Sequence, residues 1–402
     1  MGMSNSLTAF SPTYWSKKMG HKRYKTNVFR SFASFKEEAV LYDGQTVDRP
    51  YRSDVAVENY TKGTALTAQD LTATSDQISI STIKALLMYV DNVDKIQNKY
   101  DAADAWIEEA MERLNNSLDA HFFYNIISAN DTIDDGDIGG TSGNGITVTT
   151  ANILNVFGKL NRKFDVNNVP RGDKRRFGIS PQFYDVLWQY IAGKESLLGD
   201  KSGENGNIGR YAGLELFLTN NLTGSAVWVP ANAPTANDTI TINGVTFTFV
   251  DSIGTTAGNV LVNGGTVAQV ITRLTTLINA PGTTTANGVA FAGADLREVQ
   301  DWVAVDGTTL ITVRAKGASY MTVTGSDSND VWTAAKQIQH LFASYQGAAD
   351  MVVQKAPSVE MASTVSAGKS GINILPMTLS GTGVFNQGKN EMFDVLVRSD
   401  AY

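Results

Sequence analysis

The 402-residue sequence contains no cysteine and only three histidines, His21, His121 and His340. The missing thiols exclude disulfides, thiolate zinc centres, iron–sulfur clusters and a cysteine nucleophile, and they fit folding in a reducing compartment. The histidines are far apart and form no H-x-x-x-H pair, so a zinc or non-haem iron centre is not expected. No run of 18 apolar residues occurs, so no membrane-spanning helix and no membrane partner are expected. The start MGMSNSLTAF lacks a charged segment followed by an apolar core, and no signal peptide is expected. Charged residues make up only 18% of the chain and the net charge is −7, which gives no global field towards nucleic acid or an acidic membrane.

What charge there is lies unevenly. Residues 1–36 hold no acid but seven bases, Lys17, Lys18, Lys22, Arg23, Lys25, Arg30 and Lys36. Residues 231–330 show the opposite bias, with eight acids, four bases (Arg273, Arg297, Arg314, Lys316) and 19 threonines. The texture before and after that segment is ordinary mixed α/β. A stretch of that size with hairpins of its own reads as a small α+β domain set into a loop of a larger one.

Hydrophobic spacing supplies the elements. Residues 1–42 are basic and dotted with aromatics (Tyr14, Trp15, Tyr24, Phe29, Phe32, Phe35) without a steady period. They read as an extended arm whose rings need a partner surface. Residues 43–89 alternate like two arms of a β-hairpin with an exposed tip near 52–72. From 99 to 128, Ala103, Trp106, Ile107, Ala110, Met111, Leu114, Leu118, Phe122 and Ile126 recur every three or four positions, which predicts a helix of about 45 Å. Helices are also predicted over 149–164 and 182–191, the second with Ser180 as cap and Pro181 in its first turn. Strands are expected at 174–180 and 211–222. Within the Thr-rich segment, TITINGVTFTF (239–249) is a hairpin around an Asn-Gly turn. A helix stripe follows at 267–278, then a hairpin over 302–315. Beyond it, 332–345 reads as helix, 351–354 and 358–362 as extended, and 372–379 and 392–398 as strands.

Chemistry-bearing motifs are weak. Asp131, Asp135 and Asp137 fall in a D-x-x-x-D-G-D run that lacks two ligands of a calcium loop, with Ile133 and Ser142 where oxygen donors belong. The glycine-rich stretches 139–145 and 203–209 match no phosphate loop. Ser180 lacks the second glycine of a nucleophile elbow. No base–nucleophile–metal set is apparent, so no enzyme, cofactor or metal is expected.

The order of elements nevertheless carries a likeness. GQTVDRPYRSDVAVENYTKGTALTAQDLTATSDQISIS (44–81), VDNVDKIQNKYDAADAWIEEAMERLNNSLDAHFFYNI (90–126), RRFGISPQFYDVLWQYI (175–191), IGRYAGLELFLTNNL (208–222) and HLFASYQGAADMVVQKAPSVE (340–360) resemble, in turn, five parts of one family. These are the projecting E-loop, the spine helix, the strand–Ser-Pro–helix and closing strand of the axial domain, and the return to the peripheral domain. Together they resemble the major capsid proteins of tailed bacteriophages, the Hong Kong ninety-seven fold. The resemblance implies an α+β chain with an N-terminal arm (1–42), an E-loop hairpin (43–89), a peripheral domain (90–135 and 340–402), an axial domain (136–230) and an insertion domain (231–330).

It further implies self-assembly in hexamers and pentamers into an icosahedral shell, formed in the host cytoplasm and ending in the virion. Scaffolding and portal proteins would be partners, with packaged double-stranded DNA on the inner face. The expected intersubunit contacts are Tyr14, Trp15, Phe29, Phe32, Tyr51, Tyr60 and Lys62. Some family members crosslink a hairpin lysine, but no motif here selects a partner for Lys62. The arm is expected to be dispensable for folding, so that deletion of residues 1–30 leaves a folded subunit. An encapsulin-like nanocompartment and a glycan-binding surface protein are the alternatives.

Overall fold

The structure, a computed structural model, describes residues 25, 27–38, 44–52, 55–97, 102–194, 209–326, 330–364 and 370–399. Tyr14, Trp15, His21 and the glycine-rich residues 203–208 lie outside them.

The chain opens with a single helical turn, α1 (Phe29–Phe32), and the hairpin β1 (Thr46–Arg52) and β2 (Ala73–Ser79). Short strands β3 (Thr82–Ala85) and β4 (Met88–Asp91) lead into α2 (Asn92–Gln97) and the long helix α3 (Ala102–Phe123). The 22 residues of α3 span about 33 Å, and a 3₁₀ turn over Tyr124–Ser128 extends the rod. Ala110, Leu114, Leu118, Phe122 and Ile126 are buried as the spacing predicts, whereas Trp106 is half exposed.

A mixed ten-stranded sheet forms the frame. Its strands are β5 (Asp131–Ile133), β6 (Arg175–Ile179), β7 (Arg210–Tyr211), β8 (Leu214–Leu218), β9 (Thr223–Pro230), β13 (Trp302–Asp306), β14 (Ile311–Ala315), β16 (Asp330–Trp332), β17 (Ile338–Tyr345) and β20 (Met392–Arg398). The helices α4 (Ile153–Val166) and α5 (Pro181–Ala192) pack into its core. Pro181 fills the first position of α5, and the Ser180 hydroxyl accepts from the Phe183 N–H at 3.4 Å, as the sequence predicts. β17 is the hub. It pairs with β20 along one edge, and with β9 and then β6 along the other.

The expectation of a helix over 332–345 is corrected here: a 3₁₀ turn (Ala334–Lys336) precedes a strand. Seven of the eight β17 residues are buried. A strand covered on both faces shows no alternation, so its apolar run is indistinguishable from a buried helix.

The Thr-rich segment builds a second sheet from β10 (Thr239–Ile242), β11 (Val245–Val250), β12 (Asn259–Leu261) and β15 (Val323–Gly325). It also contributes α6 (Val267–Asn279) and α7 (Gly293–Val299). Asn243 and Gly244 both take positive φ, 47° and 83°, as the Asn-Gly hairpin turn requires. Ile240, Ile242, Val245, Phe247 and Phe249 point inward while the intervening threonines face out or lie at the margin. The segment is not hung loosely, however. β14 pairs with β9 of the frame, and the cluster around Phe247, Leu274 and Trp302 also takes in Ala226 and Trp228.

A third, extended sheet joins β18 (Asp350–Ser363), β19 (Gly371–Gly383), β3 and β4. α8 (Asn386–Asn390) closes the path to β20.

Candidate assembly surface

The hairpin is fastened at its base and bare at its tip. Val47 and Ile80 are buried against Val352, and Ile78 is buried as well. The Arg49 guanidinium stacks 3.8 Å from the Phe385 ring centroid, forms an ion pair with Glu37 and lies 3.7 Å from the Asp350 carboxylate. Seven register pairs then run outward from Thr46↔Ser79 to Arg52↔Ala73. Beyond them every described residue from Val55 to Thr72 is exposed. A clasp holds the tip together: the Ala56 N–H donates to Gln69 Oε1 at 3.0 Å, and Gln69 Nε2 donates to the Ala56 carbonyl at 2.7 Å.

That tip is apolar. Val57 is wholly exposed, and Val55, Tyr60, Leu66 and Leu71 are each more than half exposed. The following strands continue the surface. Thr82 and Lys84 face the long helix and α7, with Thr82 Oγ1 3.2 Å from His121 Nε2 and Lys84 Nζ 2.5 Å from Asp301. The period of two therefore turns Ile83, Leu87 and Tyr89 outward. Among the described residues, eleven of the sixteen exposed large apolar side chains lie between Tyr51 and Trp106. Scattered apolar residues need no explanation, but a concentration along one stretch of the chain, six of them on the hairpin, marks a surface that something else covers.

The sequence-predicted contact residues divide. Tyr51, Tyr60 and Lys62 sit on the exposed hairpin. Phe29 and Phe32 do not face a neighbour, and that expectation is corrected. They are 3% and 0% exposed, packed against Phe35, Phe122, Phe123, Phe217 and Phe342 of their own chain.

The backbone confirms the attachment. Asp119 Oδ1 accepts from the N–H groups of Val28 (3.0 Å) and Phe29 (2.7 Å), and its Oδ2 accepts from Asn221 Nδ2 (2.7 Å). Burial holds the Asp119 carboxyl above its usual range, although these donors pull the other way. Further on, Ser34 exchanges two backbone hydrogen bonds with Ala349 and Met351. Deleting residues 1–30 would thus remove a core phenylalanine.

The acidic run at 131–137 folds on itself. Asp134 caps a 3₁₀ turn and accepts from Gly143 N–H (2.5 Å) and Ser142 Oγ (3.0 Å). Burial alone would raise its carboxyl, but these donors outweigh it and leave the group below the usual range. Asp137 pairs with Lys163 at 3.1 Å. No cluster of three or more metal-ligating side chains occurs among the described residues.

One arrangement escaped sequence reasoning. His340 Nδ1 lies 2.7 Å from Asp394 Oδ2 and its Nε2 lies 2.9 Å from Ser225 Oγ, the connectivity of a nucleophilic triad. Register explains it: Thr223 and Leu396 sit opposite His340, and Ser225 and Asp394 stand two residues along on the same face. No local motif could reveal three residues on three strands. All three residues are buried within the sheet, at 4–7% exposure. An attacking serine needs a reachable oxygen and a place for substrate, so these groups act as a polar brace across β9, β17 and β20.

Neither a protein-family model nor a curated protein matches the chain. Solved structures do. A structure from Mycobacterium phage Che8 is similar at 14% identity and a TM-score of 0.57, over 97% of this chain and 98% of that one. The capsid structure of cyanophage P-SCSP1u is similar at 13% identity and 0.55, over 99% and 96%. The capsid asymmetric unit of cyanophage Pam1 is similar at 11% identity and 0.52, over the full length of both. End to end, this α+β chain has the fold of phage capsid structures.

Proposed function

We propose that this chain is the major capsid protein of a tailed phage, and that copies of it close into the icosahedral head shell around double-stranded DNA. The observation that carries the reading is the hairpin: firmly fixed at its base, it holds an apolar tip away from its own subunit, where only another molecule can bury it. A second copy is the natural cover, since closed symmetric assemblies reuse the same patch on each subunit. Fold likeness over nearly the whole length supports the same conclusion.

In this reading the subunits form hexamers and pentamers. Scaffolding and portal proteins assist assembly, the basic residues before Lys25 lie towards the packaged DNA, and the acidic Thr-rich segment decorates the outside. Tyr14, Trp15, Tyr51, Tyr60 and Lys62 remain the proposed intersubunit contacts. The shell is assembled in the host cytoplasm, and the protein's work is structural rather than catalytic. A glycan platform in the Thr-rich segment would need exposed rings, whereas Phe247, Phe249, Phe291 and Trp302 are all buried.

The test is a pair of tip substitutions, Val57→Asp and Tyr60→Ser, in the full chain. Sedimentation should show large particles for the unaltered protein and folded, unassembled subunits for the double variant. Particles formed equally by both would remove the hairpin from the account.

A further inference from the structure

The segment from α7 to β14 meets the long helix and β3 across a cleft of about 480 Å³. Its walls come from four parts of the chain: Lys25 from the arm, Lys84 from β3, Arg113 from α3, and Arg297, Asp301 and Lys316 from the Thr-rich segment. Five cations therefore face one carboxylate. Asp301 is taken by Lys84, at 2.5 Å. Arg113 pairs with Glu109 at 2.7 Å, and Glu298 lines the adjoining hollow. Setting these three acids and Asp119, whose field reaches Lys25, against the five bases leaves one positive charge in excess. The Asp119 oxygens accept from the neutral donors already described and form no ion pair with Lys25.

The excess is held under tension. Lys316 Nζ sits 4.8 Å from the Tyr124 ring centroid, and no carboxylate lies within salt-bridge distance of it among the described residues. Burial holds its ammonium below the usual range, with Asp301 pulling the other way and Lys84 adding to the shift. The Lys25 residue is exposed as a whole, yet its ammonium is lodged on the carbonyls of Asn220 (3.2 Å) and Gly317 (2.5 Å) rather than on an acid. Burial lowers it as well. His121, on the same side of the helix, is pushed down to about 4 by burial and by the fields of Lys316 and Lys84. The two lysines are thus held by burial without an ion-pair partner, and His121 registers the field of the cations beside it. Two ammonium groups partly withdrawn from water without a carboxylate partner are costly, and an incoming anion relieves them.

We propose that this cleft binds a phosphate-bearing anion, and that the anion clips the Thr-rich segment to the long helix and the hairpin strands. The geometry favours a phosphate class over a single carboxylate. Donors converge from separate elements, and they include the Arg297 guanidinium, whose fork suits a tetrahedral oxyanion. The volume falls within the range of small-ligand sites. The phosphates can come from a free polyphosphate or from a DNA backbone, and the two sources are separable by experiment.

The test is isothermal titration of the unassembled full-length chain at fixed ionic strength, with sodium tripolyphosphate, a short DNA duplex or sodium chloride as titrant. Variants Lys316→Gln and Arg297→Gln probe the cleft, and Lys159→Gln, on α4, controls for general charge. Arg297 is exposed, so its removal leaves the fold intact, and circular dichroism checks this for each variant. Tripolyphosphate should bind, with each cleft variant weakening it about tenfold and Lys159→Gln leaving it unchanged. A duplex that binds with the same sensitivities while tripolyphosphate does not would assign the site to DNA backbone and still support it. Absence of binding by both, or binding that Lys159→Gln weakens as much as Lys316→Gln, would overturn the proposal.

Discussion

Replacing Asp119 should loosen the amino-terminal attachment before it disturbs anything else. Its carboxylate gathers two backbone N–H groups of the arm and the Asn221 amide in a buried setting, with Thr219 Oγ1 at 3.5 Å. In Asp119→Ala three well-placed donors lose their acceptor. A buried unsatisfied donor costs about 1–3 kcal/mol, and partial hydration of the frayed turn recovers some of it, so the loss should be roughly 3–5 kcal/mol. Asp119→Asn keeps one carbonyl for the arm but turns an NH₂ towards Asn221, and should cost about half as much.

Urea unfolding measures the loss, and limited trypsin digestion at Arg30 measures release of the arm. Both should rank Ala above Asn above the unaltered chain. The pH profile adds a signed check. Burial raises the folded carboxyl above its unfolded value, so the native chain holds the extra proton between the two values. Stability therefore falls as pH rises through that window, and Asp119→Asn should flatten it. An Asp119→Ala midpoint within about 0.5 kcal/mol of the parent, with unchanged cleavage at Arg30, would refute the tether.

His121 predicts the opposite slope. Its folded value near 4 against 6.5 unfolded means that its stabilisation is complete above 6.5 and is lost as pH falls towards 4, by up to roughly 3 kcal/mol; His121→Gln should remove that acid-side loss in a pH-resolved melt. Arg49→Ala gives up the Phe385 stacking and the ion pair with Glu37, and should cost about 1–2 kcal/mol while increasing protease cutting at the hairpin base. Gly224→Ala would drive a Cβ into the Ala318 carbonyl where the Thr-rich segment meets the frame, so its melting temperature should drop by several degrees, and a neutral effect would show that the contact gives way. Ser225→Ala should cost about 1 kcal/mol and nothing more; an esterase activity abolished by it would contradict the brace.

Legibility followed the locality of the signal. The Asn-Gly hairpin at 239–249, the Ser180-Pro181 start of α5 and the stripes of α3 and α6 were readable because each depends on neighbours a few residues apart. β17 was misread because burial on both faces erased its alternation. Phe29 and Phe32 read as arm residues in want of an external partner because their partners, Phe122 and Phe342, lie some 90 and 310 positions away along the chain. The hairpin was visible as alternation, and its exposed tip could be located near 52–72. Its anchoring by Arg49 to Phe385 and Asp350 could not. The Ser225–His340–Asp394 brace and the cationic cleft are products of register and packing alone, and no motif announces either.

Electron microscopy of the purified, overexpressed chain tests the central claim most directly. Uniform closed shells, with density from a neighbouring subunit covering residues 55–72 of each copy, are the expected result. A persistent monomer, or an assembly that leaves that tip bare, would contradict it.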